Sequence, residues 1–125
     1  MNITPNDLHE FTGTENYYKT MDKSIVYTDG VQYFARNAGD QGAYWLLDML
    51  VFEIIPKNFE EEFLCVTIEV ENDQAVIRAT DGNDNRLYKK NILYTDLAEG
   101  EWKFYVEDGM VGDNEVKVIL LPSEH

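Results

Sequence analysis

At Pro56 the spacing of apolar residues changes from that of a helix to that of a strand, and no other feature constrains the fold as tightly. Downstream the period is two. In residues 63–71, Leu64, Val66, Ile68 and Val70 share one face, while Cys65, Thr67, Glu69 and Glu71 share the other. Such alternation predicts an antiparallel strand with one face buried and one wet. Asn72-Asp73 reads as a turn, and residues 75–80 return as a second strand. Asp81-Gly82-Asn83-Asp84-Asn85 is a dense hairpin signal, followed by a third strand over 86–94. After a break at Ala98-Glu99-Gly100, Trp102, Phe104 and Val106 alternate with Lys103, Tyr105 and Glu107 in a fourth. Residues 111–114 read as a loop and 116–121 as a fifth, nearly continuous apolar strand.

Upstream the pattern is helical. Thr4-Pro5-Asn6-Asp7 has the capping hydroxyl, the proline and the acid of a helix start, and Thr12-Gly13-Thr14 keeps that helix short. Thr28 precedes a second helix, in which Val31, Phe34, Ala35 and Ala38 share a face and Gly39 supplies a left-handed stop. Asp40 is expected to cap a third, from about Ala43 to Phe52 or slightly beyond, stopped by Pro56. Asp48 and Glu53 alone interrupt its apolar surface, which places it at the centre of a domain. Helices followed by hairpin-linked strands predict an α+β fold, with N-terminal helices packed on one face of a roughly five-stranded antiparallel sheet. A chain of 125 residues is expected to be a single domain, with 1–56 mainly helical and 57–125 the sheet. The tripeptide Tyr-Thr-Asp occurs at 27–29 and 94–96; its flanks differ, so it reads as turn and capping chemistry rather than duplication.

The residues for most active-site chemistries are missing. Nucleophilic catalysis needs a nucleophile beside a base. The only histidines are His9 and His125, the only serines Ser24 and Ser123, and Cys65 falls on the wet face of a strand. One cysteine cannot form an internal disulfide, and with two distant histidines it cannot build a zinc site. Asp81–Asn85 resembles a calcium loop only superficially, because position 92 holds isoleucine where the twelfth-position glutamate belongs. No glycine-rich phosphate cradle occurs, so no cofactor or metal is expected. Asp48, interrupting an apolar helix, suggests a perturbed carboxylate in a pocket with Tyr44 and Trp45, or else a structural ion pair. The N-terminus lacks a basic region before an apolar one, and no run of about 18 apolar residues occurs. Neither a secretory signal nor a membrane span is expected, which fits a cytoplasmic protein.

What remains is charge. Asp and Glu number 24 against 10 Lys and Arg, giving −14, yet the chain is 44% hydrophobic and carries enough apolar material for a core. Residues 57–125 hold sixteen of the acids and seven of the bases. Direct nucleic-acid binding is disfavoured, because affinity there rests on cations neutralising phosphates. Glu60, Glu61, Glu62, Glu69, Glu71, Glu99, Glu101, Glu107 and Asp108 are expected at the surface, where they offer a carboxylate-rich sheet face to a basic protein partner and can imitate a phosphate row. The leading expectation is a non-enzymatic acidic binding protein. A small enzyme or ligand-binding domain around Tyr44, Trp45 and Asp48, and a homo-oligomer assembled through edge strands, are the alternatives.

Five segments together resemble a family of small bacterial proteins of unknown function, met on phages, plasmids and cyanobacterial genomes. They are Leu8-His9-Glu10-Phe11-Thr12-Gly13-Thr14-Glu15, Tyr27-Thr28-Asp29-Gly30-Val31, Ala43-Tyr44-Trp45-Leu46-Leu47-Asp48, Tyr94-Thr95-Asp96 and Leu120-Leu121-Pro122-Ser123-Glu124. Their order along nearly the whole chain carries the resemblance. It implies one complete domain and no assigned reaction, cofactor or catalytic residue. By analogy it implies a role in phage–host or plasmid–host conflict, such as inhibition of a nucleic-acid-binding protein.

Overall fold

The computed structural model describes residues 3–83 and 85–125. The five segments read as strands form them: β3 (Phe63–Glu71), β4 (Gln74–Thr80), β5 (Arg86–Ile92), β6 (Gly100–Val111) and β7 (Asn114–Leu120). Each of these is antiparallel to its neighbours among the five. The β3–β4 hairpin turns on Asn72 (φ 54°) and Asp73 (φ 62°), the left-handed pair that a two-residue turn between twisted strands requires.

Two strands come from the part read as helical. β1 (Tyr18–Lys19) pairs antiparallel with β2 (Ile25–Tyr27), and β2 pairs parallel with β7, Ile25 opposite Lys117 and Tyr27 opposite Ile119. The sheet is therefore seven-stranded and mixed, in the order β1-β2-β7-β6-β3-β4-β5, not five-stranded and antiparallel. Three residues are too few to display a period. All of β2 is buried, so it carries no alternation either.

The helical segments also depart from expectation at their ends. A 3₁₀ helix (Pro5–Glu10) starts as its sequence suggests, Thr4 N donating to Asp7 Oδ2 at 2.8 Å. α1 (Asp29–Asn37) follows Thr28, but the Thr28 hydroxyl does not cap it. It donates to Glu124 Oε1 at 2.6 Å, while Gly30 N donates to Glu124 Oε2 at 3.1 Å. The cap comes from a carboxylate near the other end of the chain. Gly39 ends the helical region at φ 72° as expected, but Asp40 caps nothing; Ala43 is the residue before α2 (Tyr44–Met49). α2 runs into a π-helical stretch (Leu50–Ile54) and then α3 (Ile55–Lys57), so Pro56 lies inside the helix instead of stopping it. A proline ring crowds the preceding turn and offers no N–H. The widened turn, in which Ile55 N donates to Leu50 O, lies just ahead of that ring.

The helices pack on one face of the sheet. Leu46, Leu50 and Ile54 share a buried cluster with Leu64, Val66 and Ile68 of β3, and Phe34 meets Trp102 and Phe104 at ring-centroid distances of 5.2 and 4.8 Å. Val26, Val116, Val118 and Leu120 form a smaller cluster, so β7 is apolar on both faces. The second Tyr-Thr-Asp makes turn contacts: Thr95 Oγ1 accepts from Leu97 N, and Asp96 Oδ2 accepts from Asp40 N at 2.9 Å. Among the described residues no helix is long and apolar enough to cross a membrane.

Candidate functional site

The end of the helix and the tip of the β6–β7 hairpin meet around one buried cation. Asn58 closes α3, its side chain donating to Ile54 O at 2.9 Å, and Glu61 N donates to Asn58 O at 3.0 Å. That turn carries Phe59, Glu60, Glu61 and Glu62 into β3. Lys117 rises beneath it from β7. Its side chain is 8% exposed, and its ammonium donates to Asp108 Oδ1 and, at 2.8 Å, to Glu61 O. The Phe59 ring lies 5.0 Å from the same nitrogen. A buried ammonium needs such partners, because an unpaired charge is costly away from water. Lys117 thereby pins the acidic turn to the sheet.

Beside it opens a cleft of about 690 Å³ lined by Glu60, Glu62, Asp108, Glu115, Phe59, Met110 and Lys117, among others. In the β6–β7 register Asp108 is opposite Lys117 and Met110 opposite Glu115, so the hairpin supplies one wall and the turn the other. Asp108 is neutralised by Lys117. Among the described residues Glu60, Glu62 and Glu115 have no ion pair. Phe59 and Met110 are 46% and 57% exposed, placing apolar surface among these carboxylates. Glu60 and Glu62 also border a neighbouring hollow with Glu61, Asp81 and Asn83.

The other acids singled out in the sequence lie elsewhere. Glu69, Glu71, Glu101 and Glu107 project from the sheet face opposite the helices, and Glu99 accepts from Asn72 N at 3.2 Å beside the β3–β4 turn. Glu69 pairs with Arg78 at 3.3 Å, Glu101 with Lys103 at 3.6 Å, and Glu107 with His125 at 2.9 Å. The outward sheet face is thus mixed in charge, not carboxylate-rich. Glu60 and Glu62 lie instead past the helix end, where Glu115 joins them; among the described residues Glu71 and Glu99 have no ion pair either but stand apart from that group. Glu115 and Lys117 are the members sequence reasoning missed. Lys117 had a signal, as the one charge in the apolar run 116–121.

Asp48 is exposed, so the desolvation expected for it is absent. It shares a helix face with Tyr44 and Phe52, 45% and 60% exposed, while Trp45 is half-buried against the core. Cys65 is half-buried beside Tyr105 in register, and burial pushes its thiol pKa up, away from a reactive thiolate. His9 lines a smaller cleft of about 300 Å³ with Lys103, Tyr105 and Ser123, and Ser123 Oγ donates to Leu8 O at 3.3 Å. The Tyr88 hydroxyl lies buried beside the Glu53 carboxylate; burial and that charge raise it to about 12. Tyr88 and Lys90 hold Glu53 below the usual carboxylate range. That cluster ties the π-helical stretch to β5. In the Asp81 turn the carboxylate accepts from Asn83 N at 2.8 Å and Asn85 Nδ2 at 2.8 Å, while Asp84 lies outside the described residues. Among the described residues no three His, Cys, Asp or Glu side chains are grouped to hold a metal ion.

No curated protein and no solved structure matches this chain. A family model described as a family of unknown function, DUF6876, matches residues 2–125, and the chain belongs to that family.

Proposed function

We propose that this chain is a single non-enzymatic binding domain whose cleft at Glu60, Glu62 and Glu115 receives a basic segment of a partner protein. One observation carries the reading. Three carboxylates without ion pairs surround a concave site that also exposes Phe59 and Met110. Arginine and lysine suit such a place, because each has an apolar stem for the rings and thioether and a cationic head for the acids. Asp108 belongs to the wall but is already held by Lys117. Association is steered by the net charge of −14 and weakens as salt screens it. Edge-strand assembly of copies ranks behind this reading: β1 has two residues, and β5 carries Lys89 and Lys90, which oppose pairing with a like strand.

The test is fluorescence anisotropy with a labelled oligoarginine peptide at low and high salt. Glu60→Gln, Glu62→Gln and Glu115→Gln combined should weaken binding by about tenfold or more at low salt. A control combining Glu10→Gln, Glu15→Gln and Glu71→Gln makes the same change in net charge at exposed sites away from the cleft. Equal weakening by the two sets would mean diffuse attraction to an acidic protein and would end the proposal.

A further inference from the structure

In a chain so acidic, the placement of the cations carries information. The strand register puts Lys103 of β6 opposite Thr67 of β3, Thr67 opposite Arg78 of β4, and Arg78 opposite Lys89 of β5. Residues paired across strands point to the same side of a sheet. The three cations therefore form one row across the outward face, ending at the sheet's edge. A register shift between Ala79 and Thr80 brings Arg86 opposite Thr80, on the same side as Arg78 and Lys89. Within the row, Lys103 and Arg78 are met by Glu101 and Glu69. Among the described residues Lys89 and Arg86 take part in no ion pair, and both are exposed.

β5 is also the long open edge. It is last in the strand order, has seven residues, and pairs on one side only, with β4. Just past its end, Leu93 and Tyr94 are 84% and 72% exposed. We infer that β5 accepts an extended acidic segment of a partner protein as an eighth strand. The added main chain would take up the open hydrogen-bonding side of β5, about 4.8 Å away. Its acidic side chains on one face would continue the row beside Lys89 and Arg86, and apolar ones beyond would meet Leu93 and Tyr94. Edge lysines ordinarily deter pairing. They deter neutral or basic strands, including a second β5, which would bring like charges together; against an acidic strand the sign reverses. A nucleic acid has no strand main chain to pair with, so it cannot continue the sheet.

The probe is a short labelled peptide alternating glutamate and valine, followed by anisotropy and by amide NMR of the protein. Binding with resonance shifts confined to β4, β5 and residues 93–94 is expected. Lys89→Glu should weaken it by about tenfold, because a favourable cross-strand pair becomes an unfavourable one. Lys23→Glu, an equal charge change at an exposed site, should leave it unchanged. A peptide with proline at alternate positions should not bind, since it lacks the donors of an added strand. Any of four results overturns the inference: no binding, equal binding by the proline peptide, equal loss in the two charge variants, or shifts centred away from β5. Tighter binding of oligothymidylate than of the acidic peptide would also overturn it, in favour of a nucleic-acid face. The cleft at Glu60 plays no part in these measurements, so this inference and the proposed function stand or fall separately.

Discussion

Asp29 shows how much one carboxylate organises. It opens α1, where negative charge suits the helix dipole, and it also gathers the preceding loop. Its oxygens accept from Glu15 N at 2.9 Å, Asn16 N at 3.4 Å and the Tyr18 hydroxyl at 2.9 Å, and its own N–H donates to Thr14 Oγ1 at 3.0 Å. Hydrogen bonds to the charged form, led by that from Glu15 N, lower its pKa to about 2. The ordinary value for an unfolded aspartate is about 3.9. A group depressed on folding stabilises the folded state above its unfolded pKa, and that contribution drains away as pH falls toward the folded one. Asp29→Asn should therefore lower the melting temperature at neutral pH. The gap to wild type should close as pH falls from about 4 toward about 2. Thermal melts of the two proteins across that range check it; a gap constant with pH would mean the charge on Asp29 is irrelevant.

At the scale of elements, the helix start at Thr28 is tied to the chain's far end. A Cβ on Gly30 would sit 2.5 Å from Leu121 Cδ1 and 2.8 Å from Glu124 Oε1, so only glycine lets Glu124 reach the helix. Gly30→Ala should cost about 1–3 kcal/mol by this crowding, despite alanine's better helix propensity. Denaturant unfolding measures it, and a stabilised variant would show that the Glu124 cap contributes little. The sequence around Thr28 announced a helix start but gave no hint of this partner, because the cap is not local. The same limit separates what was legible from what was not. β3 and β6 declared themselves through alternation, and β4, β5 and β7 through the turn signals and apolar runs around them, all properties of consecutive residues. β2 depends on pairing residues 25–27 with 117–119, which no local period records. The helix over 44–57 was visible as an apolar run, but composition could not distinguish its buried Leu46 and Leu50 from its exposed Tyr44 and Phe52. That ambiguity made Asp48 look enclosed. The acids of 60–62 were legible as a cluster; their concave setting was not, because Lys117 and Glu115 reach it from β7.

For the whole molecule, the question is whether net charge or ion pairing dominates. Five ion pairs with Lys or Arg occur among the described residues, and only Lys117–Asp108 has a buried member; the Glu107–His125 contact joins them only when the histidine is protonated. Exposed pairs contribute about 0–1 kcal/mol each. Against them stands the self-repulsion of −14 on 125 residues. It is uneven: Glu60, Glu62 and Glu115 crowd one cleft, while Lys103, Arg78 and Lys89 line up across the opposite sheet face. Repulsion between exposed charges more than about 10 Å apart is largely screened at about 0.1 M salt, whereas a buried pair such as Lys117 with Asp108 is screened much less. Raising sodium chloride from about 0.01 M to about 0.3 M should therefore raise the melting temperature, as repulsion is lost faster than attraction. Neutralising Glu60, Glu62 and Glu115 together should do the same at low salt, and the gain should shrink as salt is added. Binding sites that hold like charges together destabilise the fold that carries them, so this variant should be more stable while losing the oligoarginine peptide. Salt melts of wild type and variant decide it. A melting temperature that falls with salt would show ion pairs outweighing repulsion, and a variant no more stable at low salt would show that the cleft's acids are too well solvated to strain the fold.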